Sequence, residues 1–132
     1  MPIFSKTSLR KLATCSPLLE EIAQEAIRVV DFSVIWGHRN KRDQDKAFKD
    51  GFSEKKWPFS KHNEWPSRAM DIIPYPVKEK WEEDRDKFFF LAGIVIGIAL
   101  KMKVEVRWGG DWDRNPSTKE KFEDLAHFEL LD

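Results

Sequence analysis

Residues 69–76, AMDIIPYP, place a carboxylate inside a short apolar run. The run from Ala69 to Ile73 has the composition of a β-strand, and Pro74 and Pro76 end it. Asp71 stands in this strand although burial of a carboxylate costs free energy unless a cation or several hydrogen-bond donors hold it. The stretch therefore predicts a strand and, on it, a charged site.

The segments around this strand predict helices early in the chain and short strands later. Ser8 suits the N-cap of a first helix that ends at Leu12, and Pro17 suits the first turn of a second helix. The other predicted elements are a strand from Asp31 to Trp36, a surface helix from Lys41 to Lys49, a long loop from Phe52 to Pro66, a buried apolar helix from Asp84 to Lys101, a strand from Val104 to Trp108, an irregular segment to about Phe122 and a last strand from Leu125 to Leu131. Strands and helices do not alternate regularly, which predicts an α+β fold with a small, mainly antiparallel sheet and helices packed on it.

The size and charge of the chain exclude several classes of protein. Its 132 residues suit one domain, residues 1–132. The 23 basic and 23 acidic side chains cancel, so we expect no nucleic-acid partner. The longest uncharged apolar run, Phe88 to Leu100, is shorter than the roughly 20 residues of a membrane span, so we expect no membrane insertion. We also expect a monomer.

Cysteine content and the first residues narrow the classes further. Cys15 is the only cysteine, which excludes an internal disulfide and a zinc site built from several thiolates. The first residues contain no apolar segment of the length that a secretory signal needs, so we expect no signal peptide.

Two of the three histidines stand near carboxylates in the sequence. His62 precedes Asp71, and His127 follows Asp124 after two intervening residues. Two imidazoles and one carboxylate are the three protein ligands of many catalytic zinc sites, in which the fourth position holds water. The sequence lacks the HExxH motif of helix-borne zinc sites. From residue types alone, structural histidines remain the alternative to a metal site.

Several motifs, in a fixed order along the chain, resemble one family of enzymes. They are Gly37-His38-Arg39 with Gln44, Ser60-Lys61-His62, Ser67-Arg68-Ala69-Met70-Asp71, Trp108-Gly109-Gly110-Asp111-Trp112 and Asp124-Leu125-Ala126-His127-Phe128-Glu129. Together they resemble the zinc peptidases of the D-alanyl-D-alanine carboxypeptidase family, and most of all its phage branch, the L-alanyl-D-glutamate peptidases used as endolysins. The resemblance covers nearly the whole chain, from about Phe4 to Leu130.

The resemblance implies a role for each matched residue. It implies that His62, Asp71 and His127 bind zinc in a cleft, and that Asp124 is the catalytic base. It implies that Arg39 steadies the substrate and its tetrahedral intermediate. Residues implied to contact the substrate are Gln44, Ser60 and Trp112.

The resemblance also implies a substrate and a setting. The substrate is the stem peptide of bacterial peptidoglycan, cut between L-alanine and D-glutamate. A phage endolysin of this kind accumulates in the host cytoplasm and reaches the cell wall after the membrane is permeabilised.

The spacing between the first two implied ligands departs from the family motif, SxHxxGxAxD. Two extra residues separate His62 from Asp71, and Ser67 stands at the position of the family's glycine. An insertion between Asn63 and Pro66 accounts for both differences. Glu64 is then a rival ligand, because residues two apart on a strand share a face with each other. We prefer Asp71, since the residues around it keep the family's pattern.

Other polar and aromatic residues near these motifs keep two interpretations each. His38 suits a surface turn, and Asp111 suits a turn former beside two glycines. Glu129 is either a partner of His127 or a solvated charge. Trp57 and Trp65 lie in the long loop and are candidates for a wall of the cleft.

Two other functions remain open at this point. One is cleavage of D-alanyl-D-alanine, as in carboxypeptidases and dipeptidases of the same family. The other is a wall-binding module that keeps the zinc fold without catalysis. Asp124 favours an enzyme, because a binding module does not need an acidic residue just before its last ligand.

Overall fold

The structure is a computed structural model that describes residues 2–115 and 123–131. The elements within these residues are α1 (Lys6–Leu12), α2 (Pro17–Ile27), β1 (Phe32–Trp36), α3 (Lys41–Lys49), β2 (Ala69–Pro74), α4 (Arg85–Lys101), β3 (Val106–Trp108) and β4 (His127–Leu130), with 3₁₀ turns at Lys61–Asn63 and Trp81–Asp84. The predicted α+β class is confirmed. The end of the predicted irregular segment, up to Phe122, lies outside the described residues.

The sheet has the strand order β1-β2-β4-β3, and each neighbouring pair is antiparallel. In the β2–β4 pair, Met70 lies opposite Phe128 and Asp71 lies opposite His127. Successive side chains of a strand point to opposite faces of the sheet. Met70 and Phe128 therefore face the core, and Asp71 and His127 share the other face.

Helices α2 and α4 cover the core face of the sheet. Leu19 and Ile22 of α2 and Leu91 and Val95 of α4 are almost completely buried, in one cluster with the core side chains of the strands. Full burial of such a side chain stabilises the fold by roughly 1.5–3 kcal/mol. This packing holds the central strands in the register that builds the other face.

The apolar helix α4 is buried on one side only. Phe89, Phe90 and Leu100 are 45%, 62% and 66% exposed, whereas Phe88 is 1% exposed. The prediction of a buried helix therefore holds for one face only, because the sequence is apolar all round while the sheet and α2 cover a single face. Among the described residues, no helix combines the length and hydropathy that a membrane crossing requires.

Helix α1 begins at Lys6, and Ser5 caps it. The Ser5 hydroxyl accepts a hydrogen bond from the backbone N–H of Ser8 at 3.1 Å. Ser8 is buried inside the helix, where its hydroxyl accepts from the backbone N–H of Val34 at 3.0 Å. The prediction of Ser8 as the cap is wrong because Ser8 instead ties α1 to strand β1.

The last strand is shorter than predicted because a turn precedes it. β4 begins at His127 and not at Leu125, since the backbone N–H of His127 donates to the carbonyl of Asp124 at 3.1 Å and closes a turn. Strand β3 likewise begins at Val106 and not at Val104. Strand β1 and helix α4 begin one residue later than predicted. The bounds predicted for α3 and the start predicted for α2 are confirmed.

Gly37 lies where strand β1 passes the end of α1. A Cβ atom at this position would overlap the hydroxyl of Thr14 and the carbonyl of Lys11. The same Thr14 hydroxyl accepts a hydrogen bond from the backbone N–H of His38 at 2.8 Å. The absence of a side chain at Gly37 thus lets the chain enter the site close to α1.

Substitution of Gly37 tests this close packing. We expect Gly37→Ala to lower the free energy of unfolding by about 1–3 kcal/mol, because the added methyl group forces the backbone apart. Gly93 on α4 is the matched control, since a Cβ there meets open space. Gly93→Ala should raise the free energy of unfolding by up to about 1 kcal/mol, because alanine favours a helix. Chemical denaturation measures both, and a Gly37→Ala protein as stable as wild type would contradict the packing.

Candidate metal centre

Three side-chain atoms meet on the face of the sheet opposite the α2–α4 core. Asp71 Oδ1 lies 3.0 Å from His62 Nε2 and 3.1 Å from His127 Nδ1. The two imidazole nitrogens lie 3.3 Å apart. All three residues are buried. Among the described residues, this group has the ligand types and the spacing to hold a metal ion.

The sheet and one 3₁₀ turn supply these three residues. Asp71 and His127 are paired across β2 and β4, so their side chains come together on one face. His62 comes from the turn at Lys61–Asn63. The Ser60 side chain caps this turn, and the Asn63 side chain accepts in return from the backbone N–H of Ser60 at 3.0 Å. The reciprocal cap fixes the direction in which the turn presents His62.

Each histidine uses its other ring nitrogen to hold its orientation. His62 Nδ1 lies 2.7 Å from the carbonyl oxygen of Gly37, to which it donates. His127 Nε2 donates to the carboxylate of Glu129, at 2.8 Å from Oε1. Histidines that bind metals are commonly held in this way by a carbonyl or a carboxylate. The remaining nitrogens, His62 Nε2 and His127 Nδ1, are the ones that face Asp71.

Burial and the charges of neighbouring groups shift the pKa values of all three side chains. Burial alone lowers the pKa of His127, but its hydrogen bonds to Asp71 and Glu129 outweigh burial and raise that pKa to about 9. Burial lowers the pKa of His62. Burial favours neutral Asp71, yet the two neighbouring histidines outweigh it and lower the pKa of this carboxyl group. A metal ion would replace the proton of His127 as the positive charge between the three atoms.

Asp124 faces the same cleft from the turn before β4. Burial and then the negative charge of Asp71 raise its pKa to about 6. Its backbone N–H donates to the carbonyl of Gly109 at 2.8 Å, and a Cβ on Gly109 would overlap the Asp124 carbonyl. The turn is therefore held close to β3. A half-buried carboxylate with a pKa near neutrality has the properties of a general base.

Arg39 lies beside the three atoms and is only 4% exposed. Its NH2 group donates to Asp71 Oδ2 at 3.4 Å, and its NH1 group donates to Gln44 Oε1 at 3.1 Å. The guanidinium carbon lies 4.8 Å from the centre of the Trp36 ring. Burial lowers the pKa of Arg39, and Asp71 and then Asp124 oppose that shift. One oxygen of Asp71 thus contacts the two histidines, and the other accepts a hydrogen bond from the positively charged Arg39.

Comparison with known proteins identifies the family. The family model for the phage L-alanyl-D-glutamate peptidases matches residues 2–131. The chain belongs to this family. The L-alanyl-D-glutamate peptidase of Escherichia phage T5 is 28% identical over 135 residues, which cover 97% of each chain. The crystal structure of the L-Ala D-Glu endopeptidase ChiX of Serratia marcescens superposes with a TM-score of 0.76 at 27% identity, over 98% of this chain and 90% of that one.

The other residues that match motifs of the family take different places. Ser60 and Trp112 line the cleft, and the Trp112 ring lies 5.3 Å from that of His127. Gln44 has no exposed surface, and its side chain contacts protein groups on all sides. The structure therefore gives Gln44 no atom at the surface of the cleft.

The rival ligand Glu64 lies apart from the three atoms. It is the C-cap of the 3₁₀ turn, and 52% of its side chain is exposed. The assumption that His62 and Glu64 share the face of a strand is wrong, because this segment turns. His38, as predicted for a surface turn, bonds through Nδ1 to the carbonyl of Glu64 at 3.0 Å. The cleft lining does not include Trp57 or Trp65.

The structure adds cleft residues that the sequence did not indicate. Arg107 NH2 donates to Glu129 Oε2 at 2.8 Å, and Lys61 Nζ lies 3.8 Å from the same oxygen. Glu129 is therefore a buried partner of His127 and not a solvated charge. A wall of the cleft is formed by Phe52, Ser53, Glu54 and Lys55. Arg107 and Glu129 lie opposite each other in the β3–β4 pair. The sequence alone does not predict that pairing.

Isosteric substitutions of three carboxylates should give a graded loss of metal affinity. We expect Glu129→Gln to weaken Zn²⁺ binding by roughly 10- to 100-fold, the usual effect of losing a group that holds a ligand. Asp71→Asn should weaken it more, because the variant loses a charged ligand. Glu64→Gln is the matched control and should bind like wild type. Zn²⁺ titration by calorimetry measures the series, and stronger loss in Glu64→Gln than in Asp71→Asn would reverse the ligand assignment.

Proposed function

We propose that the protein is a zinc-dependent endopeptidase that hydrolyses the L-alanyl-D-glutamate bond of peptidoglycan stem peptides. The proposal rests on one observation above all. His62, Asp71 and His127 present three ligand atoms in a cleft that Asp124 and Arg39 also face. Membership of the L-alanyl-D-glutamate peptidase family supports the choice of bond.

The donor set fits zinc. Tetrahedral zinc, with ligand distances of about 2.0–2.1 Å, holds neighbouring ligand atoms roughly 3.3 Å apart. The three atoms observed here are 3.0, 3.1 and 3.3 Å apart. Two neutral imidazoles and one carboxylate also leave a fourth position for water or substrate. When bound, zinc polarises the scissile carbonyl and makes water more acidic.

Asp124 and Arg39 perform the remaining steps in this proposal. Asp124 accepts a proton from the attacking water, whose oxygen forms a bond to the carbonyl carbon. Asp124 then gives that proton to the leaving nitrogen as the C–N bond breaks. Arg39 places its positive charge near the carbonyl oxygen, where negative charge develops. The second proton of the water leaves the new carboxyl group for the amine, so the products are a carboxylate on the alanine side and an ammonium group on the glutamate side.

We propose that this domain binds the stem peptide in the cleft. Ser60 and Trp112 are the proposed substrate contacts, since both line the cleft. We propose that the enzyme is a monomer that serves a phage in host lysis, formed in the host cytoplasm and acting on the wall once the membrane is permeable. The phage peptidase among its relatives supports this setting.

Asp124→Asn separates catalysis from metal binding. We expect kcat to fall by about 10²- to 10⁴-fold, because the amide does not accept the proton of water. Zn²⁺ affinity should stay within a few-fold of wild type. The measurement is release of new amino groups from purified peptidoglycan by wild type and variant, each tested after metal removal and after Zn²⁺ restoration, with mass analysis of the fragments.

The fragments decide among the candidate functions. New N-terminal D-glutamate that depends on Zn²⁺ and on Asp124 supports the proposal. Released D-alanine would instead show a carboxypeptidase or dipeptidase. Tight Zn²⁺ binding without any fragment would show a wall-binding module.

Acid should inactivate the enzyme by removing its metal. Imidazole ligands must be neutral to bind zinc, so protons compete with Zn²⁺ as the pH falls. We expect bound zinc to decrease below about pH 6, and activity to fall both with the metal and as Asp124, whose pKa is about 6, takes up a proton. Parallel assays of turnover and zinc content across pH check this. Full activity at pH about 4.5 with zinc retained would contradict histidine ligation.

A further inference from the structure

Gln44 of α3 uses every hydrogen-bonding position of its amide inside the protein. Its Oε1 accepts from Arg39 NH1 and from Asn63 Nδ2, both at 3.1 Å. Its Nε2 donates to Ser53 Oγ at 3.0 Å and to the carbonyl of Lys55 at 2.7 Å. A side-chain amide has two acceptor positions and two N–H donors, so all four are occupied. None is left for a substrate.

The partners of this amide determine its orientation. Arg39 only donates hydrogen bonds, so it requires the oxygen of Gln44. The carbonyl of Lys55 only accepts, so it requires the nitrogen. A flipped amide would face both partners with the wrong group.

The side-chain oxygen of Gln44 contacts residues that lie beside His62 and Asp71. Arg39, which donates to Gln44, also donates to Asp71 Oδ2. Asn63, the second donor, lies next to His62, and its Nδ2 also donates to the carbonyl of Arg39 at 3.0 Å. Gln44 therefore fixes Arg39, which contacts Asp71, and Asn63, which lies in the 3₁₀ turn that presents His62.

The nitrogen end of Gln44 belongs to one wall of the cleft. The segment of residues 52–55 follows α3 and lines the cleft, with Phe52 75% exposed. Its backbone is tied to α3 at one end, where the N–H groups of Phe52 and Ser53 donate to the carbonyl of Ala47 at 2.9 and 3.1 Å. The Gln44 amide holds the other end through Lys55. Exposed apolar and charged side chains on this segment suit contact with a peptide.

We infer that Gln44 is a positioning residue that holds the 52–55 wall in place relative to Arg39 and the metal group. Gln44 contributes to peptide binding through this wall and does not touch the peptide itself. The resemblance to the family implied direct contact, which complete burial of the side chain excludes in this structure. The effect on peptide binding rests on the proposed function, but the effect on the wall does not.

Gln44→Glu separates the two ends of the side chain. The variant keeps acceptors for Arg39 and Asn63, but it loses both donors to the wall and sets a carboxylate against the Lys55 carbonyl. We expect KM for a stem peptide to rise about tenfold while kcat changes less than about threefold. Gln44→Met removes all four hydrogen bonds, so kcat should fall as well. Gln24→Glu, the same change on the exposed face of α2, should leave both constants unchanged.

Hydrogen exchange tests the wall without an activity assay. Amides of residues 52–56 should exchange faster in Gln44→Glu than in wild type, and at the wild-type rate in Gln24→Glu. If Gln44→Glu does not fold, Ser53→Ala decides, because it removes one of the two wall contacts and should give a smaller change of the same kind. Unchanged exchange and unchanged KM in the folded variants would overturn the inference. If wild type cuts no stem peptide but residues 52–56 still exchange faster in Gln44→Glu, the positioning role stands and the proposed function is overturned.

Discussion

The pairing of β2 with β4 is the constraint on which the site depends. Asp71 lies opposite His127, while the next pair along, Met70 and Phe128, lies in the core. A slip of one residue would exchange the two faces of β2, burying a carboxylate among apolar side chains and exposing a methionine in the cleft. The free energy that holds the core in register therefore also holds two of the proposed ligand atoms 3.1 Å apart.

The three proposed ligand atoms belong to side chains whose other polar atoms are already bonded. His62 Nδ1 is bonded to Gly37, His127 Nε2 to Glu129 and Asp71 Oδ2 to Arg39. His62 Nε2, Asp71 Oδ1 and His127 Nδ1 are thus left facing one another in a buried place, which is unfavourable unless a proton or a metal ion supplies a positive charge among them. A metal ion that binds the folded chain there also stabilises the fold.

Local signals in the sequence were sufficient to predict part of this structure. Pro17 predicts the start of α2, and the polar run before Gly51 predicts α3 with its correct bounds. The odd carboxylate in an apolar strand points to Asp71, and ordered motifs link it with both histidines. Each of these signals lies within a few residues of the feature that it predicts.

The remaining features depend on contacts between distant segments. Ser5 and Ser8 are equally good caps until β1 is placed beside α1. Glu129 keeps two interpretations in the sequence, and the structure decides between them, since Glu129 bonds to His127 and, across the β3–β4 pair, to Arg107. The role of Gln44 depends on a loop that returns to α3. Composition and periodicity carry no information on such long-range contacts, which is why these assignments needed the structure.

The most direct test of the site is the position of zinc itself. Crystals of the zinc-loaded protein, measured on both sides of the zinc absorption edge, locate the ion by anomalous scattering. We expect one strong peak about 2 Å from each of His62 Nε2, Asp71 Oδ1 and His127 Nδ1. A strong peak beside Glu64, or zinc bound elsewhere with these three atoms unliganded, would contradict the assignment.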